Sequence, residues 1–420
     1  MFQGGIYMGF EIVPFLLKKK INRYPDFDYS DLQLVNFRVS NYDTEQVRMN
    51  LVLPLINKKS IYGGISTALK FFFALSKKYN ADMRIIVTDV DIDSQTQKDY
   101  PEWNICDTDI DLQKDNVISL CAIPPFKRNA KTIAIRKNDF FITTSWKTKY
   151  VFENISKFQN DSWRVIRPVL YFIQDYEPGF YAWSTDSVLA DSTYMDHNII
   201  AVFNSKNLRD YFQKLNYHFE HEYYFNPILN PTMAQVLKES NTNTERAKRI
   251  LFYGRPFEQR NCFSLGVESL RRYIQKYKPD REWEFISIGA WHRSIDLGCG
   301  HTLYSKGKLS LEEYAELLLS SKVGISLMCS PHPSYPPLEM ATFGVRTVTN
   351  SYICKDLTDF SNNIISVRKM SIENLAYSIN KAVQLSACEP EINLNSYYFK
   401  GEEQFNEIIT QLQSYWGKRD

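Results

Sequence analysis

The chain has 420 residues, a net charge of +2, 44% apolar and 23% charged residues. That length suggests two or three domains, each with ample chain to bury a core. The composition excludes a disordered chain, and the near-neutral balance argues against nucleic-acid wrapping. No apolar run is long enough to span a bilayer. Lys18-Lys19-Lys20 follows the apolar stretch near the start rather than preceding it, the wrong order for a signal peptide.

Residues 1–45 read as an irregular or helical extension holding Pro14 and Pro25. Regular alternation starts after them. Met49–Ile56 has the length of a buried strand, Gly63-Gly64 forms a turn, Ile65–Tyr79 reads as a helix and Met83–Asp89 as a second strand. This βαβ unit implies parallel strands with a right-handed crossover. Strands at Asn116–Ala122, Asp139–Ser145, Val169–Gln174 and Asn198–Phe203 follow, with helices near Trp146–Lys157, Ser187–Tyr194 and Ser205–Leu215. Two prolines then bracket the connector Asn226–Pro231, and the polar tract Glu239–Glu245 comes next, the best boundary in the chain.

The alternation restarts with a strand at Arg249–Tyr253, a helix at Cys262–Tyr277 and a strand at Trp283–Ile288. A helix at Ser310–Ser321 opens on a capping box formed by Ser310 and Glu313. Val323–Met328 is a strand, Pro336–Phe343 a short helix opened by proline, and Arg346–Thr349 a strand. Helices at Ser371–Leu385 and about Ser396–Trp416 close the chain. The division expected is an extension at 1–45, an N-terminal Rossmann-like domain at 46–228, a C-terminal one at 229–395, and a final helix at 396–420 packing back on the N-terminal domain. Two α/β domains in tandem place a ligand in the cleft between them.

Several chemistries are missing from the sequence. The seven cysteines (Cys106, Cys121, Cys262, Cys299, Cys329, Cys354 and Cys388) form no C-x-x-C pair and read as buried thiols of a reducing cytoplasm. No phosphate-binding G-x-x-x-x-G-K-[ST] loop occurs. Gly298-Cys-Gly300 lacks the third glycine of a dinucleotide fingerprint, Leu303 standing there. G-x-S-x-G and H-E-x-x-H are absent. His218 and His221, beside Glu220 and Glu222, read as a solvated turn rather than a zinc site.

Four segments stand out. At Gly63-Gly64 the glycines let backbone N–H groups approach an anion at a helix N-terminus, or simply make a tight turn. Phe172–Pro178 ends a strand in Asp175 and Glu177, which suit sugar hydroxyls, with Tyr176, Phe180, Tyr181 and Trp183 to cover a sugar face; acids capping the next helix is the plainer alternative. At Tyr253–Asn261, Arg255 and Arg260 follow a strand and meet a diphosphate with forked donors, or form surface ion pairs. Ser330–Gly344 combines a proline-rich loop with Glu339 in a helix's first turn, where the helix dipole alone would favour an acid.

These segments resemble the family 4 GT-B glycosyltransferases. Gly254-Arg255 matches the family's strand end, with Arg260 at the position of a usual lysine. Leu338, Glu339 and Gly344 match its second motif, while Thr342 and Arg346 depart from it. More closely, Gly-Gly-Ile, Gln-Asp-Tyr-Glu-Pro, Gly-Arg-Pro-x-x-x-Arg-Asn and Pro-His-Pro-Ser-Tyr-Pro-Pro-Leu-Glu-Met-Ala are similar to the WsaF-type bacterial rhamnosyltransferases. The resemblance covers most of the chain from Asn50 on. It implies a GT-B fold, two Rossmann-like α/β domains facing each other across a cleft, and a retaining transfer of L-rhamnose from dTDP-β-L-rhamnose to a cell-surface (S-layer) glycan. The first of the family's two glutamates is replaced by Pro331, so its sugar contacts do not carry over.

The resemblance further implies that Glu339 holds the nucleotide ribose. Arg255, Lys308 and Arg260 would meet the leaving diphosphate without a metal or cofactor, and Ser334 and Tyr335 would flank it. Gly63 and Gly64 would approach it or the acceptor, and Asp175 or Glu177 would bind sugar or acceptor. The acceptor would be a lipid-linked glycan at the cytoplasmic membrane face, with Phe15–Ile21 a candidate for peripheral contact with an anionic surface. The alternatives are a glycosyltransferase of the same fold using another nucleotide sugar, a non-catalytic nucleotide-sugar-binding subunit, or a phosphorylase or epimerase on a related fold.

Overall fold

A computed structural model of the chain describes residues 37–42, 44–56, 64–106, 118–240, 245–388, 391–392, 397–399 and 403–416. Phe15–Ile21 and Gly63 lie outside the described residues. Two sheets carry the fold. An eight-stranded sheet runs in the order His221–Tyr224, Ile199–Phe203, Val169–Ile173, Asp139–Thr143, Arg48–Leu53, Asp82–Val87, Ile118–Ala122 and Asn104–Ile105. A seven-stranded sheet runs Ile295–Gly298, His301–Gly307, Glu284–Gly289, Ala247–Gly254, Ser321–Ile325, Arg346–Asn350 and Ile364–Val367. The second sheet is parallel except for the hairpin pairing of Ile295 with Leu303 at its edge.

Helices cover both faces of the seven-stranded sheet, and its central strand Ala247–Gly254 carries a continuous buried apolar run, Ile250–Phe252, rather than an alternating one. In Ala247–Gly254, Ile250 and Phe252 enter one core with Leu270 and Ile274 of the helix Phe263–Tyr277 and Ile379 of the helix Ile372–Leu385. Leu251 enters the other core with Leu237 of Pro231–Glu239, Leu318 of Leu311–Leu319 and Leu338 of Tyr335–Thr342.

By compactness the chain divides into two units. The first comprises the described residues up to 56 with 81–141 and 147–167. An ionic network lies buried in it: Arg48 donates two hydrogen bonds of 2.7 Å to the Asp139 carboxylate, and Arg84 reaches the same carboxylate at 3.5 Å. Arg84 also donates to Asn50 Oδ1, at 2.6 Å, and Arg136 pairs with Asp82 at 2.5 Å. Burial alone would raise the Asp139 pKa; the two guanidiniums hold it below its ordinary value. The second unit comprises residues 64–80, 142–146 and those from 168 on, and all the geometry of the candidate site lies within it. There Phe405 of the helix Glu403–Trp416 meets Phe71 of the helix Gly64–Tyr79 edge-on, ring centroids 5.5 Å apart.

Most elements read from the sequence are present within a few residues. The Ser310 capping box forms with both of its hydrogen bonds. The departures are local. Arg38–Asn41, assigned to an irregular extension, is a strand paired in parallel with Thr132–Ile135. The supposed turn at His221 is a strand, with His221 opposite Ile200. Pro231 does not merely end a connector: it opens the helix Pro231–Glu239, capped by Asn230, whose Oδ1 accepts from Thr232 N–H at 2.9 Å. Gly298-Cys-Gly300 is a hairpin turn with φ of +84°, +53° and +81°. Of the seven cysteines only Cys121 is buried. Among the described residues no helix is long and apolar enough to cross a membrane.

Candidate active site

The strand Ala247–Gly254 delivers Arg255 at its carboxyl end, where open α/β sheets bind ligands. Gly254 is required by space. A Cβ there would stand 2.5 Å from Ser287 Oγ and 2.8 Å from the Phe263 ring, and that ring is already stacked on Phe252. The chain then turns twice: Glu258 N–H donates to Arg255 O at 3.0 Å and Asn261 N–H to Glu258 O at 2.9 Å. Cys262 adopts a left-handed φ of +51°, and the helix Phe263–Tyr277 begins.

A second loop, 326–334, leaves the strand Ser321–Ile325, which ends three residues earlier than its apolar run suggests. The two loops are sewn together. Cys329 N–H donates to Arg260 O at 2.8 Å, and Asn261 Nδ2 to Leu327 O at 3.3 Å. Met328 of the second loop is held by residues outside both: Asn350 Oδ1 accepts from its N–H at 2.8 Å, and its carbonyl accepts from Asn350 Nδ2 at 3.1 Å and Lys355 Nζ at 2.7 Å. Lys355 is buried, which pushes its pKa down to about 8.

Asp175, just past the strand Val169–Ile173, binds both loops. Arg260 Nη1 donates to its Oδ2 at 2.6 Å and Ser330 Oγ to its Oδ1 at 2.5 Å. The Arg260 guanidinium also lies over the Phe180 ring, 3.9 Å from its centroid. Ser330 Oγ accepts from His332 N–H at 3.0 Å, and His332 Nδ1 from Ser334 N–H at 3.0 Å. Burial lowers the His332 pKa to about 4, so the imidazole is neutral. Its acceptor role at Nδ1 assigns the remaining proton to Nε2. Nε2 is buried and has no hydrogen-bond partner among the described residues.

Ser334 has a φ of +67°, unusual for a residue with a side chain, a strain of about 1–3 kcal/mol that surrounding structure must hold. The helix Tyr335–Thr342 follows, beginning one residue before its first proline. Glu339 therefore sits in the second turn, and helix-dipole capping does not explain it. Burial pushes its carboxyl up to about 7, opposed by the neighbouring Tyr314 hydroxyl. A buried acid of raised pKa on the helix that follows this loop is a candidate functional group.

The other expected residues fall as follows. Arg255 is partly exposed and donates to Glu258 Oε1 at 3.1 Å. Lys308 is exposed, directly after the strand His301–Gly307. Gly64 opens the helix Gly64–Tyr79, and its lack of a Cβ makes room for the Gln174 side chain. Glu177 turns away from Asp175: it accepts from Trp146 N–H at 2.6 Å, Tyr171 OH at 3.3 Å and Tyr194 OH at 3.5 Å, and burial pushes it up to about 8. It thus sits at the N-terminus of the helix Trp146–Trp163, not of the next helix in sequence. Of the nearby aromatics, Tyr176 packs among Tyr194, Tyr211 and Phe212, Tyr181 OH accepts from Trp146 Nε1 at 2.9 Å, and Trp183 is fully exposed.

Asp175, Arg260 and Ser330 are thus brought into direct contact, with Ser334 and Tyr335 on the same loop and helix start. Asn261, Asn350, His332 and Lys355 escaped sequence reasoning. Asn261 and His332 stand inside the motifs that drew attention, but Lys355 and Asn350 carry no local signal. Among the described residues no group of three His, Cys, Asp or Glu side chains is placed to hold a metal ion.

Comparison with known proteins gives consistent matches. The family description "WsaF, N-terminal domain" matches residues 48–206, and "WsaF, C-terminal domain" matches residues 248–380. The O-antigen biosynthesis protein RfbC of Myxococcus xanthus is 27% identical over 300 residues, 69% of this chain and 21% of that protein. The chain therefore spans about a fifth of that relative's length. An α,α-trehalose-phosphate synthase (UDP-forming) from Burkholderia vietnamiensis superposes with a TM-score of 0.56 at 9% identity, covering 89% of this chain and 100% of that one. A sucrose-phosphate synthase from Thermosynechococcus elongatus gives 0.51 at 9% identity, covering 89% and 97%. These likenesses establish the GT-B fold, two parallel-sheet α/β domains.

Proposed function

Because the chain belongs to the WsaF family, we propose that it is a retaining glycosyltransferase that transfers L-rhamnose from dTDP-β-L-rhamnose to a growing cell-surface polysaccharide. The observation that carries this reading is the pair of interlocked loops, with Arg255 and Arg260 on one and Ser330–Ser334 on the other, leading into the helix that holds the buried Glu339.

In this reading Glu339, once ionised, accepts from the ribose hydroxyl. Arg255 gives its forked N–H donors to the diphosphate, exchanging Glu258 for it. Lys308 adds a second cation, and the leaving group's charge is met by fixed donors with no metal or cofactor required. Arg260 contributes through Asp175: the carboxylate holds the guanidinium and the Ser330 hydroxyl in one place, so the loops are ordered before the donor arrives. As the glycosidic C–O bond breaks, the departing phosphate oxygen takes the acceptor's proton, and no separate base is needed. The acceptor is a glycan, lipid-linked at the cytoplasmic face of the membrane.

The test is release of dTDP from dTDP-β-L-rhamnose in the presence of a lipid-linked glycan primer, with other sugar nucleotides in parallel. Arg255→Ala should lower turnover about 10²–10³-fold, and Glu339→Ala should weaken donor binding. Near-normal turnover and donor affinity in both variants would place the site elsewhere. Binding of dTDP without any transfer would favour a non-catalytic subunit.

A further inference from the structure

The junction of the two loops contains a feature that sugar transfer does not require. Cys262 and Cys329 are 67 positions apart in sequence, yet their sulfurs are 3.3 Å apart. A disulfide bond is about 2.05 Å long, so little more than an ångström of sulfur movement separates contact from a bond. The backbone already holds the partners together, since the Arg260 carbonyl accepts the Cys329 N–H at 2.8 Å and also lies 3.6 Å from Cys262 Sγ. Cys329 is exposed and Cys262 partly so, leaving the pair open to a reagent in solution.

We propose that Cys262 and Cys329 form a reversible dithiol–disulfide site that takes a small disulfide oxidant such as oxidised glutathione. The surroundings favour Cys329 as the attacking sulfur. With Cys262 as donor in the contact between the two sulfurs, that hydrogen bond and the positive charge of Lys355 and Arg260 lower the Cys329 pKa against the opposing effect of burial. The Cys329 thiolate attacks one sulfur of oxidised glutathione; that S–S bond breaks and one glutathione leaves as thiolate. Cys262 then loses its proton and attacks the Cys329 sulfur of the mixed disulfide, expelling the second glutathione. Two electrons and the Cys262 proton pass from the cysteine pair to two glutathione molecules, the second glutathione thiolate taking its proton from solvent, so the step balances.

The bond would join the loop of Arg255 and Arg260 covalently to the loop of Ser330 and Ser334. It would also remove the Cys329 negative charge from beside Arg260 and Lys355. The cross-link is independent of the proposed function; only its effect on the donor rests on that reading.

The experiment incubates the full chain with a glutathione redox buffer, traps free thiols by alkylation and maps peptides by mass spectrometry without reduction. Expected is a linked pair of peptides carrying Cys262 and Cys329, formed about tenfold faster than any adduct at the exposed Cys299 or Cys388 and cleaved by dithiothreitol. Cys262→Ser should leave Cys329 as a mixed disulfide with glutathione, whereas Cys329→Ser should leave Cys262 free. The proposal is overturned if both thiols of the native protein alkylate while Cys299 and Cys388 react. It is equally overturned if Cys329 stops at the mixed disulfide in wild type. Neither result depends on transferase activity, so failure here is distinct from failure of the functional reading.

Discussion

Replacing Glu339 by glutamine removes a charge whose formation the fold resists. The carboxyl is pushed up to about 7 by burial, against about 4.3 for an exposed glutamate. Only about a tenth of it is then ionised at pH 6 and about nine tenths at pH 8. If the ribose hydroxyl donates to the ionised form, the Kd for donor should fall about eight- to tenfold across that interval. The suitable assay is isothermal titration with dTDP-rhamnose, whose phosphates are both esterified and do not titrate in this range. Glu177, Lys355 and Cys329 titrate near neutrality as well, so the informative quantity is the difference between wild type and Glu339→Gln. The variant should bind more weakly at pH 8 with a flatter profile. An identical pH dependence in both proteins would refute the assignment. The sign for stability is opposite: the unfolded chain ionises this acid first, so its contribution declines as pH rises from about 4.3 through about 7.

Other perturbations test different parts of the molecule. Asp139→Asn leaves the buried Arg48 and Arg84 without their counter-charge and should destabilise the fold by about 3–5 kcal/mol, read from denaturant midpoints. Glu258→Gln frees Arg255 from an ion pair in which both side chains are about two-fifths exposed. Such pairs contribute about 0–1 kcal/mol, so the donor KM should fall up to about fivefold; an increase would mean that Glu258 orients Arg255 rather than competes for it. Gly254→Ala drives a methyl group against Ser287 and the Phe263 ring and should cost about 1–3 kcal/mol, measured as a lowered Tm.

The parallel sheets were readable because several strands buried on both faces are uninterrupted apolar runs, as Ile250–Phe252 and Ile199–Phe203 are. Elements without that signature were missed. His221–Tyr224 is a sheet-edge strand of polar and aromatic residues, and the hairpin at 295–307 is marked only by Gly-Cys-Gly. Helix ends mattered more than their existence. Starting the helix at Tyr335 instead of Pro336 moved Glu339 out of the first turn, and burial, not the dipole, became its governing influence. The motifs located the loops, but partners distant in sequence remained invisible. Asp175 pairs with a residue 85 positions away and with another 155 away, and no local pattern encodes either pairing. Glu177 shows the same limit: two residues from Asp175, it serves a helix instead.

The strand Ala247–Gly254 also bears on how the protein is made. It lies between Glu284–Gly289 and Ser321–Ile325, and the latter is synthesised nearly seventy residues later. Until then Ile250, Leu251 and Phe252 lack one flanking strand, and both their faces await helices further along the chain. Parallel pairing of this kind is slow because loop closure precedes its reward, and exposed strand edges associate readily in the interval. Recovery of native protein should therefore improve with slower synthesis and lower temperature, through the kinetics of assembly rather than the strength of the finished fold.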